Sequence, residues 1–76
     1  MKTVVSGEQS FKVLKDSFMC GPSSSGYVLA FSADNIHFTP YNEQAVPANE
    51  NLLVNGAIPY SYWMLSGNTD NVVIIV

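Results

Sequence analysis

Apolar residues along this chain fall on alternate positions in short runs, and polar, turn-forming residues separate the runs. The segment Tyr27–Tyr41, YVLAFSADNIHFTPY, sets the theme. Tyr27, Leu29 and Phe31 share one face of an extended chain and Val28 and Ala30 the other, which is the two-residue period of a strand. Ser32–Asn35 supplies a turn, because Asp and Asn accept left-handed backbone and bond to nearby amides. The return run Ile36–Tyr41 places Ile36 with Phe38, opposite His37, Thr39 and Tyr41. The stretch predicts a β-hairpin with one aromatic face buried.

The same signals recur elsewhere. Lys2–Val5, Phe11–Leu14 and Ser17–Cys20 are short candidate strands, the last with the least regular pattern. Gly21–Gly26, GPSSSG, reads as a flexible connection. Asn42–Asn51 is polar, contains Pro47 and reads as a loop. Leu52–Val54 ends at Asn55-Gly56, a favoured tight-turn pair. Ile58–Leu65, IPYSYWML, reads as a strand that begins after Pro59 or lies at an edge, since proline has no ladder donor. Within it Tyr60, Tyr62 and Met64 share one face; Ser61, Trp63 and Leu65 share the other. After SGNTDN the run Val72–Val76, VVIIV, is apolar on both faces. Helical spacing is nearly absent. The pattern predicts an all-β fold, a small antiparallel sandwich or barrel of about six short strands, in one domain spanning residues 1–76.

Composition sharpens this picture. A chain of 76 residues has a marginal core when it stands alone. Its one cysteine, Cys20, forms no disulfide within the chain, and one histidine with one cysteine gives no basis for a structural zinc site. Charged residues make up 12%, about half of the roughly 25% usual in soluble domains, so Ser, Asn, Thr and Gly form the polar surface. That removes much of the repulsion that keeps isolated domains apart. The cations are Lys2, Lys12 and Lys15 against a net charge of −3, a poor footprint for nucleic acid. No apolar run approaches the roughly 20 residues that cross a bilayer, and MKTVVSGEQS has no signal-peptide core. The expectation is a complete small protein made inside a cell, with its odd thiol in a reducing compartment. No nucleic acid, membrane, metal or cofactor is expected.

Two-sided apolar strands need cover on both sides. An antiparallel sheet usually keeps one face wet, leaving apolar area in water costs about 25 cal/mol per Å², and an exposed apolar edge invites pairing. Part of this surface is therefore expected to meet another subunit, a further copy or a partner protein. A compact sandwich that hides both faces by itself is the alternative. The residues expected at an interface are Tyr60, Tyr62, Trp63, Val72, Val73, Ile74, Ile75 and Val76. Tyr27, Tyr41 and Trp63 are the candidates for a ligand platform, since aromatic surfaces bind sugars as well as proteins.

Catalytic signals are weak. Ser32, Asp34 and His37 invite a triad reading, but all three sit on one hairpin and no oxyanion-hole motif accompanies them. Cys20 with His37 could make a thiolate nucleophile, yet a free cysteine ordinarily packs as a small hydrophobe. Asp34, Glu43, Glu50 and Asp70 fall in predicted loops without calcium-loop spacing. The expectation is a protein that is not an enzyme.

Residues 27–76 also carry a series: strand, Ser32-x-Asp34, Phe38-Thr39-x-Tyr41, polar loop, Val54-Asn55-Gly56, aromatic strand, Leu65-x-Gly67-Asn68-Thr69, Val/Ile strand. This resembles small β-sandwich virion proteins of tailed bacteriophages, of the head-decoration (auxiliary capsid) or fibre type. SADNIHF is also similar to the Asp-box hairpin of sialidase-like and sugar-binding β folds, without its glycine and one residue out of its spacing. The phage resemblance implies a short, disulfide-free protein that oligomerises on a capsid lattice and stabilises it by bridging contacts, with no catalytic residues. Its implied place is the virion, after synthesis in the host cytoplasm. The alternative reading is a carbohydrate- or ligand-binding β module that uses surface aromatics.

Overall fold

A computed structural model of the chain describes residues 2–41 and 45–76. Eight strands form among them: β1 Lys2–Ser6, β2 Phe11–Val13, β3 Ser17–Cys20, β4 Val28–Ser32, β5 Thr39–Pro40, β6 Leu52–Asn55, β7 Ser61–Ser66 and β8 Asn71–Ile75. They make two four-stranded sheets, ordered β1-β8-β3-β6 and β2-β7-β4-β5. Every pairing is antiparallel. The all-β expectation holds, as a two-sheet sandwich.

The core lies between the sheets. Val5, Phe18, Cys20, Val54, Val72 and Ile74 come from the first sheet, and Phe11, Val13, Leu29, Trp63 and Leu65 from the second. Trp63 stands at the centre, 2% exposed, with Phe18, Phe31 and Tyr41 around it at ring-centroid distances of 5.1, 5.4 and 5.2 Å. Its indole N–H donates to Ser61 Oγ (2.8 Å), which in turn donates to the Ile58 carbonyl, so the buried donor is satisfied.

Several expectations change. Ile36–Tyr41 does not form a full return strand, and only Thr39–Pro40 pairs with β4. The Asp34 carboxylate collects the amides of Ile36 and His37, both at 2.9 Å, which bends the chain away from the ladder and leaves Ile36 74% exposed. Ser17–Cys20 proves to be an interior strand, paired with β6 and β8. The Ile58–Leu65 strand starts only at Ser61, because Tyr60 takes φ = 69° in the turn after Pro59. Most of the polar loop remains a loop. Val46 bridges to Tyr27, with N–H···O distances of 2.7 and 3.2 Å. Residues 42–44 of that loop lie outside the described residues.

Candidate functional site

Direct cross-strand partners share a face of a sheet, so the register states what each face carries. On the first sheet, Val4 pairs with Val73, and Lys2, Ile75, Met19 and Leu53 form one row across all four strands. These residues alternate with the inward-facing row Thr3, Ile74, Cys20 and Leu52, of which Cys20 and Ile74 are fully buried. They therefore face away from the core. Val4, Leu53 and Ile75 are 57%, 63% and 43% exposed, and Met19 and Val73 are half-buried. No carboxylate lies in these pairs, and Lys2 at a corner carries the one charge. The first sheet is thus apolar on both sides, with one side packed and the other uncovered.

Most of the expected interface residues lie elsewhere. Trp63, Val72 and Ile74 are core residues of this chain and present nothing to a partner. The sandwich itself covers the inner side of the VVIIV strand, because β8 runs inside its sheet between β1 and β3. Val73 and Ile75 do face outward, and Val76 is partly buried. Tyr62 lies on the outer side of the second sheet and Tyr60 in the turn before β7. The Lys12 ammonium sits 5.6 Å from both ring centroids. Val4, Met19 and Leu53 were missed by sequence reasoning. The signal was their alternation with Val5, Cys20 and Leu52, legible only once those runs are known to be neighbours.

The proposed ligand platform does not assemble. Tyr27 is buried and its hydroxyl finds no nitrogen or oxygen partner among the described residues. That hydroxyl lies beside the Cys20 thiol. Burial pushes the thiol up to about 12, with the Tyr27 hydroxyl acting in the opposite sense, and burial also raises Tyr27. Such a thiol is a packed hydrophobe rather than a nucleophile. Tyr41 does meet Trp63, beside Phe31 and Ile58 at a shallow cleft of about 100 Å³. Tyr41 spends its hydroxyl on the Asn55 carbonyl (3.3 Å), and the indole is taken by Ser61. What remains is a small apolar hollow without a free polar group from either ring.

The Ser32–Asp34–His37 group is a turn. Ser32 Oγ donates to Asp34 Oδ1 (2.7 Å), and His37 Nδ1 pairs with Asp34 Oδ2 (2.8 Å). The hydroxyl therefore faces the acid and not the imidazole, the wrong order for a nucleophile and its base. The His37 ring, the His37 amide, the Ser32 hydroxyl and the Ile36 amide, in that order, hold the Asp34 carboxyl well below the usual carboxylate range. Asp70 plays a similar part: its carboxylate accepts the Ser24 amide, and Ser24 lowers it. Among the described residues no group of three His, Cys, Asp or Glu could hold a metal ion, and no helix is long and apolar enough to cross a membrane.

Asn68 is the buried polar hub that sequence reasoning named only as part of a pattern. Its Oδ1 accepts from Ser23 Oγ (2.6 Å), and its Nδ2 donates to the Gly7 and Asp70 carbonyls (2.8 Å each). It ties the β1 turn, the β7–β8 turn and the GPSSSG connection together. Comparison with protein-family models, curated proteins and solved structures returned no match for this chain.

Proposed function

We propose that this chain is a non-catalytic assembly domain that docks on other protein through the outer face of its first sheet. The role implied by the resemblance of residues 27–76 is a capsid-decoration or auxiliary component of a bacteriophage particle. The observation that carries this reading is the uncovered apolar set Val4, Met19, Leu53, Val73 and Ile75, free of carboxylates, on a protein with little charge to keep neighbours apart. At the exposures shown, covering Val4, Leu53 and Ile75 is worth on the order of 1 kcal/mol each. Four strands about 4.8 Å apart and five residues long make a face of about 300 Å². That is small beside the roughly 800 Å² per partner of a standard interface, and it suits a part that gains strength from repeated contacts on a lattice.

Light scattering of the purified chain across a concentration series tests the reading. The expected result is concentration-dependent association beyond a pair of copies that Leu53→Lys combined with Ile75→Lys weakens at least tenfold, with the fold unchanged by near-ultraviolet circular dichroism. Association that is indifferent to both lysines removes the face from the mechanism. A chain that stays at 8.3 kDa throughout and docks on no shell removes the assembly role.

A further inference from the structure

The free edge of the first sheet carries its own instruction. Gly7 N–H donates to Asp70 C=O (2.8 Å) one step beyond the Ser6–Asn71 pair, which fixes the phase of the β1–β8 ladder. Hydrogen-bonded pairs alternate with non-bonded ones in an antiparallel ladder. Thr3 and Val5 therefore spend their amides and carbonyls on β8, while Lys2, Val4 and Ser6 aim theirs outward. The Gly21 N–H to Val73 C=O bond (2.7 Å) gives the same phase from the other side of β8, because Val73 must then face β3. Ser6 is already served: its N–H donates to Gln9 Oε1 and its C=O accepts from Gln9 N–H. No partner of this kind meets the backbone of Lys2 or Val4 among the described residues.

The edges of the second sheet are blunted. β5 is two residues long and contains Pro40, and β2 has three residues with Lys12 at its centre. β6, at the far edge of the first sheet, has four residues, and the carbonyl of its last residue, Asn55, already accepts from the Tyr41 hydroxyl (3.3 Å). β1 has five residues, no proline, and an open concavity of about 340 Å³ beside it, bounded by Thr3, Lys12, Leu14, Lys15 and Val76.

We propose that β1 pairs with β1 of a second copy, antiparallel about a two-fold axis at Thr3. The proposal rests on the assembly reading and names its partner. In this register Val4 of each copy exchanges both backbone bonds with Lys2 of the other, so all four free groups on each strand are satisfied and none falls opposite the occupied Ser6. The pattern is self-complementary, which selects a second copy over an unrelated strand. Thr3 meets the other copy's Thr3 in a close non-bonded pair, a favourable match across strands. The two Lys2 side chains lie on a diagonal and not opposite each other, and each lysine stem covers the other copy's Val4. The joined sheet has eight strands and an outer apolar face of about 600 Å², so docking it on a partner buries about 1,200 Å² in total, the lower bound of a specific interface.

Val4→Pro tests this directly. The Val4 N–H points outward, so proline is compatible with the chain's own ladder, as edge prolines are, while it deletes the intermolecular donor. Val4→Ala keeps the donor and controls for lost side-chain area. The expected result by light scattering is that the unsubstituted chain and Val4→Ala dimerise, while Val4→Pro dimerises at least tenfold more weakly. Amide exchange on the unsubstituted chain gives a reading that needs no variant: Lys2 and Val4 slow with rising concentration and Ser6 does not. Equal dimerisation of the proline and alanine variants overturns the proposal. Exchange at Val4 that is independent of concentration also overturns it, and decides the matter should Val4→Pro not fold. Association lost only in the Leu53→Lys/Ile75→Lys variant defeats the edge and leaves the assembly reading standing. Concentration-dependent protection of Val4 in a chain that docks on nothing else does the reverse.

Discussion

At the scale of single residues, a few buried polar atoms carry more of this fold than their number suggests. Asn68 makes several bonds from a nearly inaccessible position, and truncating it removes its bonds to the Gly7 carbonyl and the Asp70 amide, together with one of the partners of the Ser23 hydroxyl and of the Asp70 carbonyl. Asn68→Ala is expected to cost about 2–4 kcal/mol, since each orphaned buried group costs about 1–3 kcal/mol. Urea denaturation measures it, and a loss under 1 kcal/mol is inconsistent with the hub. Tyr27 is the opposite case. Its hydroxyl is buried without a nitrogen or oxygen partner, so Tyr27→Phe should leave stability unchanged or raise it by up to about 1 kcal/mol. Cys20 gives a pH prediction. Its thiol is raised to about 12 when folded and ionises near 8.5 when unfolded. The folded state therefore keeps a proton that the unfolded state loses, and stability present below about pH 8.5 declines as pH climbs toward the folded value. Denaturation midpoints between pH 8 and 11 should fall, and thiol-directed reagents should react only after unfolding.

At the scale of elements, local chemistry sets the path of the chain in two places. The Asp34 carboxylate captures the Ile36 and His37 amides, and the predicted return strand becomes a turn. Asp34→Ala should release those amides to fast exchange while the amides of β4 and β7 stay protected. The lowered carboxyl contributes to the turn above the ordinary unfolded value near 3.9 and loses that contribution as pH falls below it. Equal exchange at Ile36 and His37 in the variant and its parent would contradict this account. The second place is the GPSSSG connection. Gly26 has φ = 73°, and a Cβ there would stand 2.7 Å from the Val46 carbonyl oxygen. Gly26→Ala should cost at least the roughly 1–3 kcal/mol of left-handed strain, with loss of the Tyr27–Val46 bridge visible in amide exchange.

At the scale of the whole molecule, 76 residues enclose one aromatic-centred core and leave the back of one sheet apolar but uncovered. The residues that hold the sandwich together and those that face outward alternate along the same strands. Val72 and Ile74 pack inward while Val73 and Ile75 face out. An interface assigned to the whole VVIIV run is therefore half core. Lysine substitutions separate the two roles: at Leu53 and Ile75 they should alter association and spare folding. A lysine at Ile74, which is 1% exposed, should unfold the chain at any concentration, because a buried unpaired ammonium costs several kcal/mol.

The sequence alone determined the class of this protein. Period-two apolar runs, the Asn55-Gly56 turn, and the shared faces of Tyr27, Leu29 and Phe31 and of Ser61, Trp63 and Leu65 all follow from local stereochemistry, which acts between residues close in the chain. Only the tertiary structure decided which runs are neighbours. It placed β8 between β1 and β3, made an interior strand of Ser17–Cys20, and buried Trp63 beneath Tyr41. It also turned Val4, Met19, Leu53, Val73 and Ile75 into one surface. The physical reason is that alternation separates two faces of a strand without saying which is wet. That assignment depends on what packs against each face, and here the covering residues come from the far end of the chain.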